Sequence, residues 1–409
     1  MEIIGKIMLY VIMICCILGA LASAIKEESG LGKAFEEGLQ TVGTLFMPLT
    51  GLMISVPYLT RFTQKVFGEL YHRIGADPAI AATTFIPSDI GGYLLAHQIA
   101  ETPENWIMAL VVGYMAAPVI SFNIPVGLAM LDKNDHGYLA LGAMSGIIAI
   151  PLGVLTTCLI LFITSPAIRT AFSTIGPATY HLTFQLSSIF LNLIPLSIFC
   201  LLLALGLRYL PNKMIKGFMV YGKVLMSTLK MIVAFAIVEY YTGFFSKFLG
   251  GWGFSPLLAD EQESFRAIEL LGTIAMMLAG AFPMVYLIQK YLHKPLTKLG
   301  SLVGMSSVGS AGLLAASANA LAMFKMIKEM PAGDKIMCIA YSVCAGYFLG
   351  DFLAYSTNFQ PTLMFPILVG QFTGGLAGIL VAKKIALPLA QSVGPQNFPG
   401  DDKTLSTKI

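Results

Sequence analysis

The stretch Gly43-Thr44-Leu45-Phe46-Met47-Pro48-Leu49-Thr50-Gly51 returns 229 residues later as Gly272-Thr273-Ile274-Ala275-Met276-Met277-Leu278-Ala279-Gly280, identical at five of nine positions. A single match between two apolar segments is easily made by chance, because the apolar alphabet is small. The same offset, however, pairs Gly75 with Gly304. One residue of slippage later, Ile99-x-Glu101-x-Pro103 meets Ile327-x-Glu329-x-Pro331, and Ile107-Met108 meets Ile336-Met337. A near-constant offset held across about 65 residues is an internal two-fold repeat, with halves at about 41–131 and 270–357.

The setting of that repeat is apolar throughout. Of 409 residues, 56% are hydrophobic and 11% are charged, and mean hydropathy is +0.77. Ordinary soluble domains carry about 25% charged residues, so this chain lacks the charge to cover a water-facing surface. It reads as an all-α integral membrane protein. The same numbers exclude a nucleic-acid binder, a disordered chain and a disulfide-stapled secreted domain. Net charge is +3, too mild to imply an anionic partner. Cys15, Cys16, Cys158, Cys200, Cys338 and Cys344 all lie in apolar stretches and form no C-x-x-C pair, so they read as buried hydrophobes. The five histidines share no ligand spacing. No metal and no cofactor is expected.

A spanning helix needs about 20 mostly apolar residues. Ten to eleven segments qualify, near 3–25, 41–60, 79–100, 105–131, 138–165, 180–207, 219–245, 265–289, 300–324, 334–357 and 362–382. The first is a transmembrane helix rather than a cleaved signal, because its apolar run is long and Glu2 stands beside Lys6. Connectors are short, so residues 1–390 form one polytopic domain, and 391–409 reads as a polar, disordered tail. Basic residues cluster in alternate connectors: Arg61, Lys65 and Arg73; Arg208, Lys213 and Lys216; Lys290, Lys294 and Lys298; Lys383 and Lys384. The positive-inside rule assigns all of these to the cytoplasm. The count then closes only if one segment fails to cross, and 300–324 is the natural candidate for re-entry. An inverted repeat would fit best with 79–100 and 300–324 both re-entrant, but the lysine distribution argues against that. Repeats of this kind belong to secondary transporters, where the solute lies between the halves near the midplane.

Three regions interrupt the apolar pattern. In Thr83-Thr84-Phe85-Ile86-Pro87-Ser88-Asp89-Ile90-Gly91-Gly92, proline and glycines break a helix around Asp89. A carboxylate at that depth costs about 2.5–3.5 kcal/mol on insertion scales, so it either caps the next helix or meets a cation. Its repeat-mate, Gly304 through Gly312 and on to Ser317 and Asn319, is rich in small and hydroxyl residues suited to close packing. The third region runs from Gly346 through Asp351 to Asn358 and Pro361, and Asn123 sits in its first-half counterpart. There a carboxylate stands among Tyr347, Phe348, Phe352 and Tyr355, as a small ammonium ligand asks for. Glu269, three residues after Arg266, reads as structural, and Trp106 and Trp252 read as interfacial belt residues. Enzyme signatures such as G-x-S-x-G, H-E-x-x-H and G-x-x-x-x-G-K-[ST] are absent from the sequence, so no enzymatic activity is expected.

Read together, Gly75-Ala76-Asp77-Pro78, Ser88 through Gly92, Lys216-Gly217-Phe218-Met219-Val220, Trp252-Gly253-Phe254, Ala279 through Leu287, and Gly350-Asp351 with Asn358-Phe359-Gln360-Pro361 resemble the ethanolamine transporter family of bacterial ethanolamine-utilisation operons. The likeness covers about residues 3–390. Ser88 departs from the cysteine expected in enterobacterial members. The resemblance implies uptake of ethanolamine across the bacterial cytoplasmic (inner) membrane to feed its catabolism. Its partners are then the small-molecule substrate and membrane lipid, with self-association left open. On the residues, Asp89 or Asp351 would pair with the ammonium, while Ser88, Asn123, Asn319 or Asn358 addresses the hydroxyl. The alternatives are a carrier for another small amine or nucleoside-like solute, and a non-transporting membrane amine sensor.

Overall fold

The computed structural model describes residues 2–26, 28–86, 92–171, 173–174, 176–248, 250–261, 263 and 265–393. Among them the one sheet pairs Ala167–Ile168 with Tyr180–His181, antiparallel. All other regular structure is helical. Helix α1 (Glu2–Ile25) leads to α2 (Gly30–Thr63), which runs through a π-helical turn at Gln64–Gly68 into α3 (Glu69–Arg73). Two short helices, α4 (Pro78–Phe85) and α5 (Gly92–Ile99), precede α6 (Pro103–Pro118), itself joined by a π-helical turn at Val119–Asn123 to α7 (Ile124–Met130). Then come α8 (His136–Thr164), α9 (Leu186–Tyr209), α10 (Pro211–Thr242) and the short α11 (Phe244–Phe248). The remaining helices are α12 (Ala267–Leu302), α13 (Ser307–Ala318), α14 (Ala320–Met326), α15 (Ala332–Ala345), α16 (Asp351–Phe359), α17 (Met364–Val381) and α18 (Leu387–Val393). Seven helices among the described residues are long and apolar enough to cross a membrane. The protein is an all-α, multi-pass membrane protein.

Two of the expected spans do not cross. Gly75 and Gly304 take left-handed φ values of 73° and 72°, which turn the chain sharply after α3 and α12. Two residues on, Asp77 and Ser306 cap the next helix, accepting from the N–H groups of Ala79 and Gly309. Helices α4 and α5 have eight residues each, about 12 Å in length, against a hydrocarbon core about 30 Å thick. Asp77 Oδ2 accepts from the Glu101 N–H and from Asn105 Nδ2, both at 2.9 Å, so α4–α5 leaves the bundle where it entered. Ser306 and Asp334 close α13–α14 in the same manner. Both 79–100 and 300–324 are therefore re-entrant, the arrangement that suits an inverted repeat and that the lysine distribution had argued against.

The two hairpins enter from opposite ends of the bundle. At one end His72 lies 3.5 Å from Glu101, Tyr180 donates to Glu104, and Arg169 reaches the end of α16. At the other, Lys328 pairs with Asp132, Lys335 pairs with Asp135, and Lys383 Nζ donates to the Val303 carbonyl. Arg73 follows α2 to the first end, with the acidic connectors, whereas Lys383 and the start of α10 lie at the second. This corrects the expectation that every basic cluster shares one side. Charge counting failed because it presumed that 79–100 crosses.

Close packing runs along glycine faces. Gly142, Gly146 and Gly153 of α8 meet α15 and α17, where Gly370, Gly374 and Gly378 provide the facing surface. A Cβ at Gly146 would stand 2.5 Å from the Ala340 carbonyl oxygen and from Val343 Cβ. Small residues four apart thus let the backbones approach, as membrane helices require. Two further sequence readings change at the helix ends. Trp106 is not interfacial: it is 2% exposed and its indole N–H donates to the Tyr93 carbonyl. Glu269 is structural, as expected, but as a cap that accepts the N–H groups of Arg266 and Ala259, while the Arg266 guanidinium turns to Asp260 and Glu263.

Candidate solute site at the interrupted helices

Helix α15 stops at Ala345, and the chain is unwound until Asp351 opens α16. Tyr347 sits at φ 66°, a left-handed conformation costly for a residue with a Cβ. The freed backbone does not go unpaired. The N–H groups of Tyr347 and Leu349 donate to the carbonyls of Ala316 and Ser317, at 3.1 and 3.0 Å. Those carbonyls belong to the last turn of α13, which has no partners within its own helix. Gly350 lies so close that a Cβ there would be 2.5 Å from the Ala318 carbonyl oxygen. Two helix interruptions therefore satisfy one another. Irregular backbone at this depth is tolerated only under such cover.

Aromatic side chains wall one flank of the junction. The Tyr114 ring stacks on Phe352 with centroids 4.5 Å apart, and its hydroxyl shares a 3.1 Å hydrogen bond with Ser356 Oγ. Tyr93 packs edge-on to Tyr355 at 5.7 Å and against Trp106 at 4.7 Å. These contacts fix α5 and α6 of the first half onto α16 of the second. Above them, Gln360 Nε2 donates to the Tyr93 hydroxyl at 2.6 Å and to the Arg169 carbonyl at 2.7 Å. Arg169 in turn donates to the carbonyls of Asn358 and Phe359, a cation placed at the negative end of α16.

The sequence candidates fall at different distances from this junction. Ser88 and Asp89 lie outside the described residues. Asp351, half-buried, is the first residue of α16. Asn319 caps α14, its Oδ1 accepting from the Leu321 N–H at 2.8 Å. Because Gly350 touches Ala318, Asp351 and Asn319 follow directly from a shared backbone contact. Asn123 is buried at the end of the π-helical turn, and its Nδ2 donates to the Ser342 carbonyl, one turn before the break, at 3.3 Å. Its Oδ1 has no hydrogen-bond partner among the described residues. Asn358 stands seven residues beyond Asp351 on α16, about 10 Å along the axis, towards Arg169. Sequence reading missed Tyr93 and Tyr114, whose partners are 242 to 267 residues away. It named Ser317, whose hydroxyl meets the Tyr341 hydroxyl at 2.8 Å.

A bundle of membrane-spanning helices, two short-helix hairpins and a carboxylate at an interlocked pair of helix breaks define a multi-pass membrane protein. The chain belongs to the EutH family: the family described as "Ethanolamine utilisation protein, EutH" matches residues 4–385. It is 38% identical over 381 residues to the "Probable ethanolamine permease EutH" of Listeria monocytogenes serotype 1/2a (strain 10403S), covering 92% of this chain and 93% of the relative. It is 34% identical over 367 residues to the protein of the same name from Escherichia coli (strain K12), covering 87% and 86%. No solved structure matches the chain.

Proposed function

We propose that the chain carries protonated ethanolamine inward across the bacterial cytoplasmic membrane, with Asp351 receiving the ammonium at the interlocked breaks. The observation that carries this reading is the docking of residues 346–350 on the end of α13. It brings the carbonyl ends of α13 and α15 to one place and sets a carboxylate beside them. Helix carboxyl ends and a carboxylate both favour a cation, and the faces of Tyr347 and Phe352 add cation–π attraction. The amine and hydroxyl of ethanolamine are separated by two carbons, a span of about 4 Å. Asn319 and Asn123, near the same junction, therefore suit the hydroxyl better than Asn358. The names of the relatives, permeases for ethanolamine, agree with this substrate.

The halves at about 41–131 and 270–357 are read as one structural unit used twice in opposite senses. Supporting this, Gly75, Asp77 and Asn105 stand 229 residues before Gly304, Ser306 and Asp334, and each set closes a hairpin. On the positive-inside rule the end bearing Lys213, Lys328, Lys335 and Lys383 faces the cytoplasm. One hairpin is then reached from each side, which suits alternating access. The test is uptake of labelled ethanolamine into proteoliposomes at about pH 6, where the amine is protonated. Wild type accumulates label, and Asp351→Asn lowers the rate at least tenfold. Unchanged uptake in Asp351→Asn removes the site. Saturable binding by wild type without flux supports a sensor instead, and competition by other amines in the same assay measures the breadth of the substrate class.

A further inference from the structure

Helix α10 leaves a shallow groove of about 580 Å³ along Lys213, Lys216, Gly217, Val220, Tyr221 and Val224. Val220 and Val224 are more than half exposed, and none of the described residues lies within 4 Å of where a Gly217 Cβ would stand. Neither lysine forms an ion pair among the described residues. At the floor of the groove Tyr221 donates its hydroxyl to the Phe85 carbonyl at 3.1 Å. Phe85 is the last residue of α4 and stacks on Phe67 at 4.6 Å. Tyr221 therefore joins this outer surface to the inner end of the first hairpin.

We propose that the groove binds one anionic phospholipid, its phosphate held by Lys213 and Lys216 and an acyl chain laid along Gly217, Val220 and Val224 over the Tyr221 ring. Lys213 to Val224 spans about 16 Å of helix, half of a hydrocarbon core about 30 Å thick, so headgroup and chain fall at the depths a lipid needs. The lysines stand in the first turns of α10, at the basic end of the bundle, where anionic headgroups attract clustered cations. Among the described residues no carboxylate lines the groove to receive the ammonium of a zwitterionic lipid. A second copy related by a two-fold axis along the membrane normal would bring the lysine pairs of both chains together, and repulsion opposes that. Through Tyr221 the bound lipid steadies the end of α4, whose last carbonyls lack intrahelical partners, and so biases the hairpin.

The experiment uses the full chain. Native mass spectrometry compares retained phosphatidylglycerol with phosphatidylethanolamine of matched chains, and uptake is measured in vesicles with and without one-third phosphatidylglycerol. Wild type retains the anionic lipid at least threefold better, and Lys213→Gln/Lys216→Gln abolishes that preference. Tyr221→Phe keeps the lipid preference but loses the response of uptake to phosphatidylglycerol. Equal retention of the two lipids, a preference untouched in the double variant, or a lipid-free dimer cross-linked through this face overturns the site. A Tyr221→Phe protein whose uptake still responds as wild type overturns the coupling. The retention measurement is independent of which solute is carried.

Discussion

Ser306 gives both its backbone N–H and its hydroxyl to one carboxylate oxygen of Asp334, at 3.1 and 2.5 Å. The residues 229 positions earlier, Asp77 and Asn105, are also joined, through a 2.9 Å hydrogen bond from the amide to the carboxylate. The chemistry is exchanged between the two pairs. In the first the carboxylate stands at the hairpin entrance, and in the second it stands on the helix that follows the hairpin. Either way the chain entering the membrane is tied to the chain leaving it. Short helices that cannot span the bilayer are held at fixed depth by that tie.

Removing the tie is expected to loosen its hairpin. Asp334→Ala strips partners from a half-buried N–H and hydroxyl, and a hydrogen bond to a charged group contributes about 1.5–3 kcal/mol. Ser306→Ala removes one cap, worth about 1 kcal/mol. Thermal unfolding in detergent should place both variants below wild type, with Asp334→Ala the lower. Wild-type melting of Asp334→Ala would show that the hairpin closes without it.

The position of this tie was partly legible. Gly75 and Gly304 marked the hairpin entrances by their shared offset, and Pro87 with Gly91-Gly92 marked a helix break. What hydropathy does not encode is whether an apolar segment crosses or turns back, because both environments demand the same side chains. Charge counting therefore weighed against re-entry at 79–100, and it carried Arg61, Lys65 and Arg73 to the wrong end. Asp351 was legible because a carboxylate in an apolar segment is rare. Tyr93 and Tyr114 were not, since their partners Gln360 and Ser356 come from the other half of the chain.

Tyr347 offers a test that separates backbone from side chain. At φ 66° any L residue bears the left-handed cost, roughly 1–2 kcal/mol, which glycine escapes. Tyr347→Gly is therefore expected to melt above Tyr347→Ala, although both lose the same ring contacts with Phe352. If Tyr347→Ala proves the more stable, the unwound segment does not hold this conformation. Uptake should fall in both variants, because both remove the Tyr347 ring to which the proposed site assigns cation–π attraction.

Lys335 and Asp135 form a 2.7 Å ion pair with side chains only 12% and 9% exposed, which ties the start of α15 to the start of α8. Breaking one side of such a pair costs about 3–5 kcal/mol, because the other charge stays buried alone, whereas replacing both with apolar residues is often near neutral. Lys335→Met should lower the melting temperature sharply, and Asp135→Leu/Lys335→Met should recover most of the loss. A double variant as unstable as the single one would mean that Lys335 acts through its packing over Tyr138 instead.

The carrier should matter most in acid. A primary amine of the lysine type titrates near 10, and its neutral share falls about tenfold for each unit of pH below that value. The neutral form crosses a bilayer unaided, while the ammonium does not. Cells lacking the chain should therefore grow poorly on limiting ethanolamine at about pH 6 and recover towards about pH 8, where free base is roughly a hundredfold more abundant. A strain carrying Asp351→Asn should follow the deletion at both values, since the carboxylate is assigned to the protonated amine. Equal growth defects at the two pH values would separate the phenotype from the charge on the substrate, and with it the role given to Asp351.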